Sequence, residues 1–197
     1  MTTQRDQELL NEAYQRLHLT GPELEGWNSN HGPMAVEALA SHGQADAIHG
    51  WIDDYAPLLE DLPRPSAAIT ADNWRDALGD PRRLGDWPGW FRNALTESDW
   101  TQVLATWWPR LLPGIAASAT HGVIRVGHAV RTLRDNGTNP QRLEELAQAL
   151  GYWAARWRPT AQVTDPAGDL DAATALANVS AVPQQTGNIN DRLDQLG

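Results

Sequence analysis

The stretch His121-Gly122-Val123-Ile124-Arg125-Val126-Gly127-His128-Ala129-Val130-Arg131-Thr132-Leu133 decides the fold of this 197-residue chain. Val123, Val126, Val130 and Leu133 recur at helical spacing and form one apolar stripe. His121, Arg125, His128 and Thr132 stand at i, i+4, i+7 and i+11, on a second face of the same helix. The pattern predicts a long helix from Gly114 to Asp135, stopped by Asn136-Gly137. Glycine inside a helix costs roughly 0.5–1 kcal/mol relative to alanine. Gly122 and Gly127 beside the histidines therefore point to the close approach of another helix or of a ligand. The histidine face itself reads either as a solvated polar surface or as the wall of a pocket.

On both sides of this segment the same periodicity predicts further helices. Leu10, Ala13, Tyr14 and Leu17 mark one that ends near His18, and Pro33 opens a second over 33–42, closed by Gly43. Ile48, Trp51, Ile52, Tyr55 and Leu59 share a face over 44–60, which Pro57 kinks. Asp72 reads as the cap of a short helix to Leu78, and Pro88 can open the next. Thr96 reads as the cap of a helix to residue 108, and Leu143, Leu146, Leu150 and Trp153 define one over 140–157. No run alternates as a strand does. The expectation is an all-α, irregular multi-helix domain over residues 1–158, followed over 159–197 by a polar, loop-rich continuation with one or two short helices.

Apolar residues make up 41% of the chain and charged residues 20%, which is ordinary globular usage. No apolar run approaches the ~20 residues that span a bilayer, so no membrane partner is expected. Zero cysteines remove disulfides and thiolate metal sites, and a cytoplasmic protein is expected. All 15 basic residues are arginine, so Schiff-base and P-loop lysine chemistry is excluded within this chain. A net charge of −10 opposes binding to phosphate backbones and argues against a nucleic-acid partner. Ten tryptophans stand against one phenylalanine, enough to build a core and to wall a pocket for a flat aromatic ligand.

Among the histidines, His31 follows Asn28-Ser29-Asn30 at the start of its predicted helix, whose positive end favours a neutral imidazole suited to a metal ligand or general base. The alternative is a capping turn with an exposed ring. An undistorted helix keeps His121 and His128 from sharing one metal, because seven residues of helix span about 10.5 Å. His121 is the favoured ligand, with His128 or Arg125 left to orient a substrate. His18, His42 and His49 read as helix-end or surface residues.

The ordered set Asn30-His31-x-Pro33-Met34, Ala38-Leu39, Trp51-x-x-x-Tyr55, Trp74-x-x-x-Leu78-Gly79, Trp90-Phe91, Trp107 and His121-Gly122-x-Ile124-Arg125-x-x-His128 resembles the questin oxidase-like family. The likeness runs from about Trp27 into the tail, through Ala175-Leu176, Val182-Pro183, Gly187, Ile189 and Arg192-Leu193. It implies a largely helical oxygenase that uses O₂ to open a ring of anthraquinones or related aromatic polyketides, described both as NADPH-dependent and as a histidine-rich non-heme iron enzyme. By that likeness His31 and His121 map onto metal- or substrate-facing histidines, with His128 and Arg125 as further site residues. A carboxylate ligand would come from Glu37, Asp53 or Asp54. Family members continue further, so the chain matches the N-terminal half of a larger helical fold. A second copy or a complementing C-terminal half would then complete the site. A truncated, catalytically inactive binding or scaffold domain is the alternative.

Overall fold

In the computed structural model, which describes residues 2–26, 28–159, 168–187, 189–193 and 195, the chain is all-α. The helices are α1 (Gln4–Leu17), α2 (Gly32–Ser41), α3 (Ile48–Tyr55), α4 (Trp74–Ala77), α5 (Trp87–Glu97), α6 (Trp100–Leu111), α7 (His121–Asn136), α8 (Pro140–Ala155), α9 (Ala172–Ala177) and α10 (Ile189–Leu193). Among the described residues the only sheet is a hairpin of two two-residue strands, β1 (Glu23–Leu24) and β2 (Asn28–Ser29), with Glu23 opposite Ser29. Trp27, where the family likeness begins, and residues 160–167 at the start of the tail lie outside the described residues.

Helix α8 is the central post. Asn139 caps it by accepting from the Arg142 N–H, and every residue from Glu145 to Ala155 is buried. A helix buried all round must be packed on several sides, and α8 lies against α5, α7 and α1. One apolar cluster surrounds it, built on Trp87, Phe91, Trp107, Leu111, Leu146, Leu150 and Trp153. Trp107 stands edge-on to Trp74, Trp87, Trp90 and Phe91 at centroid distances of 4.9 to 6.1 Å, the geometry the aromatic quadrupole favours. A second, smaller cluster joins α1 to α2 and α3 through Leu10, Tyr14, Leu17, Val36, Ile48 and Ile52.

The predicted helix from Gly114 to Asp135 begins seven residues later, at His121. Ser118, Ala119 and Thr120 all take positive φ (50°, 51° and 70°), a left-handed turn that no α-helix can contain. The proposed cap Thr96 is also displaced. It lies inside α5 with its hydroxyl donating to the Arg92 carbonyl, while the Asp99 carboxylate caps α6 by accepting from the Thr101 N–H. Of the two glycines beside the histidines, only Gly122 marks a close approach. A Cβ there would meet Trp153 at 2.8 Å, whereas Gly127 faces open space. In the tail, α9 buries nothing, and α10 lies against the turn over 117–120. No helix of the described residues is long and apolar enough to cross a membrane.

Candidate functional site

Helix α2 starts where it does because Pro33 suits its first turn and because Asn30 locks the entry. The Asn30 side chain accepts from the Gly32 N–H at 2.8 Å and donates to the Gly21 carbonyl at 2.9 Å. Asn30, rather than His31, therefore makes the capping bond, which leaves the His31 ring free. The His31 backbone N–H donates to the Tyr55 hydroxyl at 2.8 Å, and Tyr55 is stacked on Trp51. On the other side, the left-handed turn over 118–120 brings the Ser118 carbonyl to 2.7 Å from His121 Nδ1. Three non-glycine residues in that conformation are strained, and such strain concentrates at functional positions.

These two supports bring His31 Nε2 to 2.8 Å from His121 Nε2, with the rings at 84° to each other. A carbonyl only accepts, so His121 carries its proton on Nδ1 and presents a lone pair at Nε2. His31 Nε2 faces that lone pair, so the two rings hydrogen-bond when a proton stands between the two Nε2 atoms. Burial lowers the His31 pKa, the nearby His121 lowers it further, and a backbone hydrogen bond involving Ser29 opposes them only in part. From sequence the helix end accounts for the neutral ring; in the structure burial is the larger cause. The pair offers one place for a proton, between its two Nε2 atoms.

A groove of about 330 Å³ opens beside the pair, lined by His31, Met34, Ala35, His121, Ile124 and His128. His128 Nδ1 lies 2.7 Å from Glu37 Oε2, and Arg131 binds the same carboxylate. Burial works to raise the Glu37 pKa, but the His128 and Arg131 hydrogen bonds prevail and hold it below the usual carboxylate range. His128 is therefore oriented through Nδ1, with Nε2 left for the groove. None of the described tryptophans lines this groove, so the expectation of tryptophan walls is corrected. Most of the described tryptophans pack in or against the core around Trp107, and Met34, Ala35 and Ile124 supply the apolar wall instead.

Arg125 is not brought to the pair. It is 3% exposed and binds Glu145 through two hydrogen bonds of 2.7 and 2.9 Å. The reason is that α7 packs on α8 along the face that carries Arg125, and the buried Glu145 carboxylate demands a cation. Neither Glu145 nor the role of His18, whose Nε2 reaches Glu145 Oε2 at 2.9 Å, follows from the residue pattern considered above. A signal was there: His18 stands four residues after Tyr14, which puts it on the buried stripe of α1, and the two rings stack. Thr132, on the same face as Arg125, is also buried, within 3.4 Å of the Tyr14 hydroxyl.

Iron fits this centre only in part. Two imidazole nitrogens 2.8 Å apart are near the ~3.0 Å that two cis ligands at ~2.1 Å would subtend. A non-heme iron site of the two-histidine, one-carboxylate kind needs a third donor. No group of three histidines or acids able to hold a metal occurs among the described residues, and Glu37 is taken by His128 and Arg131. Asp53 is held by Arg16 on α1. The groove likewise offers no glycine-rich phosphate cradle for NADPH among its lining residues. No family model, curated protein or solved structure matches the chain.

Proposed function

We propose that the chain is a questin oxidase-like oxygenase acting on anthraquinone-type or related aromatic polyketides, with His31 and His121 handling the proton. The observation that carries this reading is the approach of two Nε2 atoms to 2.8 Å from positions 90 residues apart, at the rim of an apolar groove. The groove volume of about 330 Å³ lies at the lower end of the ~300–1,000 Å³ typical of small-molecule sites. A planar ring lies against Met34, Ala35 and Ile124, and His128 Nε2 meets a polar substituent. A phenolic hydroxyl of the substrate gives its proton to the neutral histidine pair, which enriches the ring for attack on oxygen. The oxygen chemistry itself is supplied by O₂ with NADPH or iron, as the family likeness implies. The chain's own residues hold the ring and take the proton. The acidic, cysteine-free composition supports a cytoplasmic setting.

A second reading, a non-catalytic binding or scaffold domain, is favoured by the two-donor count at the pair among the described residues. A complementing half or a second copy would have to supply the missing donor. Titration of the purified protein with a dihydroxyanthraquinone, followed by visible absorbance, tests both readings. The expected result is a red shift from phenolate formation, absent in His31→Ala and His121→Ala, with O₂ uptake when NADPH and ferrous iron are present. Binding without O₂ uptake selects the scaffold reading. Absence of binding overturns both.

A further inference from the structure

Arg125 also borders a second cavity, a slot of about 110 Å³ lined by residues of α5, α8 and the loop over 62–65. Four proline rings wall it, Pro22, Pro63, Pro65 and Pro88, and Arg125, Gln148 and Tyr152 stand at its inner end. Gly85 permits this construction: a Cβ there would meet the Pro63 and Arg64 carbonyls at 2.7 and 2.6 Å, so any other residue would push the proline loop away.

The polar end is already balanced in charge. Glu145 neutralises Arg125, and Glu144 neutralises Arg92 at the rim through bonds of 2.6 and 2.7 Å. Gln148 gives one N–H to Glu144 at 2.9 Å, and the Tyr152 hydroxyl is within 2.7 Å of Ser29 Oγ. Arg125 uses Nε and Nη2 for Glu145, which leaves Nη1 as the donor for an occupant. A charge-assisted donor in a charge-balanced slot rewards a neutral acceptor. A carboxylate would add an uncompensated negative charge beside Glu145.

We propose that this slot is a binding site for a small neutral carbonyl compound, an amide, lactam or cyclic ketone, whose oxygen accepts from Arg125 and whose ring packs between the prolines. The size follows from the volume and the open mouth: a closed cavity of ~150 Å³ holds benzene, and a five-membered ring in this smaller slot leaves one edge in solvent. The site is separate from the histidine groove and does not depend on the function proposed for it.

The test is titration of isotope-labelled protein with the five-membered lactam pyrrolidinone, set against propionate and cyclopentane. Saturable amide shifts confined to Leu62, Leu84, Gly85 and Gln148 are expected, with contacts from the lactam ring protons to the Leu84 methyls. Removing Arg125 alone would strand Glu145, so the paired variant Arg125→Gln with Glu145→Gln is used, its helicity checked by circular dichroism. Lactam affinity should fall at least about fivefold in it, the loss of one charge-assisted hydrogen bond. If the paired variant unfolds, the three-ligand comparison in the native protein decides alone. Equal binding of cyclopentane, tighter binding of propionate, or no saturable shift at these residues overturns the proposal.

Discussion

At the candidate site the fold shifts the protonation of His31. Its pKa is held below the ordinary 6.5, first by burial and then by His121, so the unfolded chain takes up the proton first as pH falls. The stability this ring contributes is therefore full above pH 6.5 and is lost as pH drops through its lowered folded value. In His31→Gln that dependence should disappear. Urea unfolding at about pH 8 and about pH 5 checks it: the stability difference between the two should be smaller in the variant than in the parent protein. An unchanged difference would mean that the pair carries no proton linkage. The approach of His31 to His121 rests, at the level of sequence, on the ordered family pattern and on small neighbours. Nothing in either string alone says which way a ring turns. Glu145 was invisible for the opposite reason: a single acid in a helix reads as solvent-facing until the helix is known to be buried on all sides.

Helix α8 could be read from its apolar spacing almost to the residue, because Asn139-Pro140 marks its start and its sequence carries no conflicting signal. The start of α7 could not. Ser118, Ala119 and Thr120 have no left-handed preference of their own, and tertiary packing imposes the turn. Two substitutions separate these effects. Gly122→Ala places a Cβ 2.8 Å from Trp153, a rigid buried neighbour, and should destabilise by about 1–3 kcal/mol in urea unfolding. Gly127→Ala, facing open space, should stabilise by roughly 0.5–1 kcal/mol in the same assay. At the turn, Ala119→Gly removes a strained left-handed alanine and should stabilise by up to about 1 kcal/mol, without moving the His121 ring resonances. If it instead destabilises, the left-handed turn is not the resting conformation and the aim of His121 needs another explanation.

At the scale of the molecule, two apolar clusters meet across a polar seam. Tyr14–Thr132, His18–Glu145, His128–Glu37 and Ser29–Tyr152 all cross it, and the His31–His121 pair lies on its edge. Periodicity shows the clusters and hides the seam, because its members are polar residues scattered over α2, α7, α8, β2 and the two ends of the α1–α2 connection, with Tyr14 on α1. The seam makes the fold sensitive to acid in a directed way. Burial acts to raise the Glu145 pKa, but the Arg125 charge and the hydrogen bonds from His18 and Arg125 outweigh it and lower it from 4.5 to about 2. Glu37 is lowered as well, by His128 and Arg131 against its own burial. Carboxylates with depressed folded pKa values stabilise fully above the unfolded value and lose that contribution as pH falls towards the folded one. For Glu145 this amounts to something on the order of 3 kcal/mol lost between pH 4.5 and about 2. Among the described residues the smaller cluster holds nine buried apolar residues against seventeen in the larger, so α1 to α3 should loosen first. Hydrogen exchange at about pH 3 should show the amides of α1 and α3 opening while those of α5 and α8 stay protected. Exchange that rises equally in all four helices would mean that the clusters unfold as one unit and that the seam is no weaker than the cores it joins.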